Sequence, residues 1–249
     1  MAYQGVFFDL YGTLLIYGDM TAAWADWLSV LHVGLAARGL SMPENDLAQH
    51  CDGFFVQSAP PRPDGLTAFE GRVWRLGLEL GLTLNQADCR YLAQSSVDAW
   101  QQYVSLDPET IPTLQTLRVQ KKLALVSNFE HPSHVHSLLK QLGLARFFDA
   151  IIVSGDVGVE KPDPQIFAPA LAQTQLQPGE AVYIGDTLDD VRGARAAGLT
   201  PILIRRNDAD QSPVASDYKA DYDTLPNTSA ASEGARVIRS LSELLEIAG

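Results

Sequence analysis

The sequence predicts an α/β fold in which a doubly wound, mainly parallel sheet carries an all-helical domain inserted after its first strand. Three observations predict it. Short apolar runs recur along the chain and each ends in polar or glycine-rich residues. Helical periodicity fills the intervals between these runs, and one long stretch near the start shows helical periodicity alone.

The elements follow in order. Val6 to Phe8, Leu123 to Val126, Ile151 to Val153 and Val182 to Ile184 read as strands buried on both faces, as in a Rossmann-like sheet. Between the later strands, Val135, Leu138, Leu139 and Leu142 mark a helix before Gly143, and Ile166, Phe167, Ala170 and Leu171 another after Pro162 and Pro164. A helix from about Asp189 to Ala197, stopped by Gly198, precedes a strand at Pro201 to Arg205. Arg236 to Ser240 can add an edge strand, and Leu241 to Ile247 a closing helix. The core domain is thus residues 1–15 with 107–249, and residues 16–106 form a helical cap domain. Four cap helices are marked by Trp24, Trp27, Leu28, Leu31 and Leu35; by Leu47, Cys51, Phe54 and Phe55; by Phe69, Val73, Leu76 and Leu80; and by the run from about Asn85 to Tyr103. The prolines of Ser58 to Gly65 divide the cap, and the polar stretch Asn207 to Gly234 is expected to be a long surface loop.

Charge and composition exclude several classes. With 18 Lys and Arg against 30 Asp and Glu, the net charge of −12 disfavours nucleic acid and anionic membranes, which both need a basic face. Two separated cysteines, Cys51 and Cys89, make neither a disulfide framework nor a thiolate metal site. No apolar run approaches a membrane span, and the N-terminus lacks a basic segment followed by a long apolar one, so the expectation is a cytoplasmic protein.

Ligands of open α/β sheets bind beyond the carboxyl ends of the strands. The polar residues directly following apolar runs are Asp9, Ser127 with Asn128, and Asp186, and Lys161 in GVEKPDP can join them from a loop. Two carboxylates, a hydroxyl, an amide and an ammonium would converge on one crevice.

These residues carry a resemblance. VFFDLYGTLL at Val6 to Leu15, LVSN at Leu125 to Asn128, EKPDPQIF at Glu160 to Phe167 and YIGDTLDDVRGARAAGL at Tyr183 to Leu199 resemble the motifs of the haloacid dehalogenase-like hydrolase superfamily, in its subgroup with a helical cap after the first strand. The resemblance implies an aspartate nucleophile at Asp9, phosphate- or leaving-group contacts from Ser127 and Asn128, charge neutralisation by Lys161, and a Mg²⁺ site at Asp9, Asp186, Asp190 and the backbone carbonyl of Tyr11. It implies a phosphatase of a small phosphorylated metabolite, working through an aspartyl-phosphate. The chemistry is coherent, because a carboxylate attacks an anionic phosphoryl group only when cations screen both, and Mg²⁺ prefers oxygen ligands. Of the adjacent Asp189 and Asp190, the GDxxxD spacing favours Asp190 for the site.

Tyr11 departs from that pattern. Phosphatases resembling this chain carry a second aspartate there, which protonates the leaving group and activates water; a phenol is a poor general base at neutral pH. DLYGTL is also similar to the first motif of 2-haloacid dehalogenases, whose aspartate displaces halide without a leaving-group acid. Those enzymes lack the Gly-Asp metal segment and use an arginine from the early cap, where this chain offers Arg38. A dehalogenase-type hydrolase and a catalytically weakened metal-pocket binding protein are therefore the alternatives. Other residues have plainer readings: His131, His134 and His136 as solvent-facing imidazoles, with His131 near enough to Asn128 to donate a proton; Trp24, Trp27, Trp74 and Trp100 as cap core; Arg62 as a solvated loop cation; and Arg192 and Arg195 as offsets to the acidic cluster.

Overall fold

The computed structural model describes residues 3–55, 60–206 and 233–248. In chain order the elements are β1 (Gly5–Phe8), β2 (Leu15–Tyr17), α1 (Met20–Ala36), α2 (Glu44–His50), α3 (Ala68–Glu79), α4 (Gln86–Gln101), β3 (Val104–Leu106), α5 (Thr110–Leu117), β4 (Lys122–Ser127), α6 (Pro132–Gln141), β5 (Ala150–Val153), α7 (Ser154–Val157), α8 (Ala168–Thr174), β6 (Ala181–Gly185), α9 (Leu188–Ala196), β7 (Thr200–Ile204), β8 (Arg236–Ile238) and α10 (Leu244–Ala248). The described residues form two compact units: 3–16, 106–206 and 233–248 in one, 17–105 in the other.

In the first unit six strands make one sheet, in the order β5-β4-β1-β6-β7-β8, and every neighbouring pair is parallel. β1 and β6 are buried at every residue, which is why their sequences read as continuous apolar runs. The chain winds from β1 outward through β4 to β5, then returns to β6 on the other side of β1. That reversal leaves a crevice beyond the carboxyl end of β1, the place where open α/β sheets bind ligands. The final helix begins later than the apolar pattern suggests: Leu241–Glu243 is a 3₁₀ turn, capped reciprocally by Ser240 and Glu243, and α10 starts only at Leu244.

The second unit is built from α1 to α4, with α1 packed on α4 and α2, and α3 on α4. Trp27, 3% exposed, stacks on Trp24 at 4.7 Å and meets the rings of Phe54, Phe55 and Phe69 at 5.4, 5.7 and 6.5 Å. α2 ends at His50, so Phe54 and Phe55 reach this cluster from a turn rather than from the expected helix. Sequence periodicity misses β2 and β3, which pair as a two-stranded sheet where the chain passes into and out of the helical unit; at three residues each they are too short to show a period. Residues 60–65 carry no helix or strand. Most of the stretch expected as a loop from Asn207, together with Ser58 and Ala59, lies outside the described residues.

Neither Cys51 nor Cys89 forms a disulfide, and both are fully buried in the helical unit. Burial, reinforced by the Asp88 and Glu70 carboxylates, pushes the Cys89 thiol up to about 11. Since the thiolate is the reactive form, neither cysteine should label with an aromatic disulfide reagent at pH 8 until guanidinium unfolds the protein. Rapid labelling of the folded protein, read by mass, would show that this packing opens readily.

Candidate active site

Asp9 follows β1 directly, and its amide donates to the Ile184 carbonyl at 2.8 Å, continuing the β1–β6 ladder by one bond. Because β1 lies between β4 and β6, Ser127 at the end of β4 and Asp186 just past β6 flank Asp9. Asp9, Ser127 and Asp186 are 5%, 1% and 6% exposed.

Lys161 joins them from the loop after α7. Its ammonium donates to Asp9 Oδ1 and Asp190 Oδ1, both at 2.7 Å, to the Tyr183 hydroxyl at 2.8 Å and more distantly to the Val126 carbonyl at 3.3 Å. Its backbone is held as well: the Lys161 amide donates to Asn128 Oδ1 at 2.8 Å, and Asn128 Nδ2 donates to the Lys161 carbonyl at 3.0 Å. Asn128 therefore spends its amide on fixing the lysine loop, whereas the resemblance gave it a contact to phosphate or leaving group. Ser127 differs: its buried Oγ has no hydrogen-bond partner among the described residues.

Asp190 is bonded through both of its carboxylate oxygens. It sits at the third position of α9 and forms a reciprocal cap with Thr187. Its Oδ2 accepts from the Thr187 amide (2.9 Å), the Thr187 hydroxyl (2.6 Å) and the Asp186 amide (3.1 Å), while Oδ1 accepts from Lys161 and, at 3.1 Å, from Tyr183. Gly185 makes room for it, since a Cβ there would lie 2.2 Å from Asp190 Cγ. Asp189 instead has a 42% exposed side chain, 3.9 Å from Arg192. Asp190, the acid at the GDxxxD spacing, is thus the buried member of the pair.

Oxygens of Asp9, Asp186 and Asp190 all lie within 4.8 Å of one another. Burial pushes the Asp9 carboxyl up to about 7, the neighbouring Asp190 and Asp186 carboxylates add to the rise, and Lys161 opposes it. At Asp190 burial works the same way, but the Lys161 and Thr187 donors outweigh it and hold the acid below its usual range. Lys161 shows the converse, its burial outweighed by Asp190 and Asp9 so that it stays charged. One ammonium among three buried carboxylates leaves excess negative charge on hard oxygen donors. A divalent cation with a preference for oxygen fits that excess.

Tyr11 is 6% exposed and stacked on Phe129, with centroids 5.1 Å apart, and Phe129 stacks in turn on His134 at 5.7 Å. This pile corrects the reading of the histidines as solvent-facing. His131 and His134 are 2% and 4% exposed, and only His136 is open, paired with Asp156 at 2.7 Å. Arg192 and Arg195 meet Glu233 rather than the buried acids. In the helical unit, Arg38 binds Asp88 at 2.6 Å and lies over the Tyr91 ring, and Arg62 donates to the Leu66 carbonyl. Sequence reading overlooked Tyr183 and Thr187. Tyr183 sits in an apolar run, but a buried phenol has to find a partner for its hydroxyl, and that signal was available.

The profile of a family described as haloacid dehalogenase-like hydrolase matches residues 3–198, and a second, HAD-hydrolase-like, matches 159–244. Glyceraldehyde 3-phosphate phosphatase of Methanopyrus kandleri is 39% identical over 124 residues, 49% of this chain and 53% of that protein. The chain thus spans about half the length of such curated relatives. Among solved structures, a HAD phosphatase from Thermococcus onnurineus superposes with a TM-score of 0.65 at 26% identity, covering 99% of this chain and 98% of that one. A 2-haloacid dehalogenase from Pseudomonas syringae pv. Tomato DC3000 does so with a TM-score of 0.62 at 24% identity, covering 98% and 97%, a likeness of fold. No described helix is long and apolar enough to cross a membrane.

Proposed function

Because the chain belongs to the haloacid dehalogenase-like hydrolase family, we propose that it is a Mg²⁺-dependent phosphatase of a small phosphorylated metabolite, working through an aspartyl-phosphate at Asp9. The observation that carries this reading is the sharing of one buried ammonium, Lys161, by a cluster of three buried carboxylates. Asp9, Asp186 and the Tyr11 carbonyl would hold the ion, and Asp190 adds charge while fixing the Asp186 amide. Bound Mg²⁺ supplies the positive charge that offsets the phosphoryl oxygens.

The chain's own groups do the rest. Lys161, bonded to Asp9 Oδ1, lowers the repulsion between the attacking carboxylate and the phosphoryl group. Ser127 Oγ donates to a phosphoryl oxygen, satisfying both partners at once. Asn128 and Tyr183 keep Lys161 in place through the reaction. The helical unit is the cap that membership of this family implies, and two cysteines outside any disulfide suit a reducing cytoplasm.

Phosphate release from a panel of phosphate esters, run with Mg²⁺ and with a chelator, tests this reading; release that survives chelation would sink it. Tyr11 favours a second reading, a dehalogenase-type hydrolase, which predicts chelator-insensitive halide release from 2-haloacids in the same panel. On the first reading Mg²⁺ raises the melting temperature by mass action, and Asp186→Ala weakens its binding. Calorimetric titration giving equal Mg²⁺ affinity for wild type and Asp186→Ala would remove Asp186 from the metal site.

A further inference from the structure

Arg206, two residues past β7, makes contacts that the phosphatase reading does not use. Its Nη1 donates to the Gly12 carbonyl at 2.7 Å and its Nη2 to the Thr13 carbonyl at 2.5 Å, reaching across more than 190 residues of sequence. The other edge of the guanidinium grips Asp107, with Nε and Nη2 at 2.8 and 2.6 Å from Asp107 Oδ2. Asp107 is itself fixed: its Oδ1 accepts from the Glu109 amide at 2.7 Å, and its own amide donates to the Leu14 carbonyl at 3.1 Å. Thr110 Oγ1 donates to the same Leu14 carbonyl at 2.7 Å. Three successive carbonyls of the turn after Asp9 are therefore tied to Arg206, Asp107 and Thr110.

On its other side this turn presses on the site. Gly12 has φ +80°, and a Cβ built there would lie 1.8 Å from Asp186 Oδ2. Gly12 is thus held between the Asp186 carboxylate and the Arg206 guanidinium. In a trans peptide the C=O and N–H point in opposite directions, so drawing the Gly12 carbonyl to Arg206 also sets the direction of the Thr13 amide. The Leu14 and Leu15 amides close the turn on the Leu10 carbonyl, both at 2.9 Å, and Tyr11 bridges Leu15, but these bonds leave the outward-facing Gly12 and Thr13 carbonyls to the Arg206 guanidinium. A planar fork with fixed donor directions can set their orientation, and a flexible ammonium cannot do it equally well.

We propose that Arg206, braced by Asp107, is a positioning residue that sets the Gly12–Thr13 turn against Asp186 and so holds Asp9 and the Tyr11 carbonyl in register with the metal site. This rests on the assignment of the Asp9 cluster as the reaction centre. Arg206 touches no reacting atom. It acts through the turn, and the loss of such supporting contacts costs about 10- to 100-fold in activity or metal affinity, as expected when reacting groups shift by about 1 Å.

The test compares wild type, Arg206→Gln and Arg206→Lys at a temperature where circular dichroism shows all three folded. Two readouts are used: Mg²⁺ affinity by calorimetry, and kcat and KM on the best substrate of the ester panel. Arg206→Gln should bind Mg²⁺ about 10-fold more weakly and lose about 10- to 100-fold in kcat, with KM changed by no more than about threefold. Arg206→Lys, which keeps the charge opposite Asp107 but only part of the fork, should fall between. A merely structural arginine would lower the melting temperature and leave both readouts where they were, and that result overturns the proposal. Wild type that binds Mg²⁺ but releases no phosphate removes the phosphatase reading, and the Mg²⁺ affinity of Arg206→Gln then decides the clamp alone. Wild type that binds no Mg²⁺ overturns both. Should Arg206→Gln not fold, Asp107→Asn replaces it with the same expected direction in both readouts.

Discussion

Asp9→Asn should reduce phosphate release by ~10⁴-fold or more, the scale expected when a covalent nucleophile is lost, while leaving the protein folded. The amide cannot attack phosphorus, yet its oxygen can still accept from Lys161, so the Lys161–Asp190 pair and the Asn128 hold on the loop persist. The same variant makes a second, thermodynamic prediction in chelator. Asp9 is pushed from its ordinary 3.8 up to about 7 by burial and by its acidic neighbours, so between those values the folded state binds a proton that the unfolded chain releases. Wild-type stability accordingly falls as pH rises through that window and levels off above it. Asp9→Asn carries no such cost. Without metal it should melt above wild type at pH 8, with the gap closing toward pH 4, and saturating Mg²⁺ should narrow or reverse the gap by stabilising wild type more. Appreciable turnover in the folded variant would remove the nucleophile assignment, and equal melting at pH 8 in chelator would show that the cluster does not penalise the charged acid.

Tyr11→Asp carries the other large effect. If the chain is a phosphatase, a carboxylate two residues past the nucleophile restores a group able to protonate the leaving oxygen and activate water. Phosphate release should then rise, by up to the ~10²- to 10⁴-fold range of general acid–base catalysis. The gain will be smaller if the Phe129 face against which Tyr11 stacks raises the new acid's pKa by desolvation. On the dehalogenase reading the same change puts a further anion beside a cluster that already holds three, and halide release should fall. The two readings thus predict opposite signs for one substitution. Background activity for both products in both proteins, with Mg²⁺ saturating, would favour the metal-retaining binding protein.

The floor of the site was legible because of how parallel sheets are made. A strand buried on both faces reads as an apolar run, and its first polar residue marks the crevice, so Asp9, Ser127 and Asp186 announced themselves. Lys161 was legible only as a cation in a loop near those ends. Its fourfold contact with Asp9, Asp190, Tyr183 and Val126 depends on loop geometry that no local pattern encodes. The same holds for Asn128, whose residue type suits either a ligand contact or a backbone brace. Arg206 and Asp107 were invisible for a stronger reason: their partners are the carbonyls of Gly12 and Thr13 and each other, and main-chain acceptors leave no trace in residue identity. His134 was misjudged because an imidazole at the first turn of a helix is as readily exposed as buried, whereas its neighbour in space is the Phe129 ring.

β2 and β3 bring the two ends of the helical unit together, with the Gly18 amide donating to the Tyr103 carbonyl at 2.8 Å. To the sheet, everything between those residues is topologically a single hairpin loop. Closure entropy grows only with the logarithm of loop length, so lengthening, shortening or replacing that insert changes little for the folding of the six-stranded sheet. Selection can therefore treat the two units as separately editable, exchanging the insert while the sheet that carries Asp9 is kept.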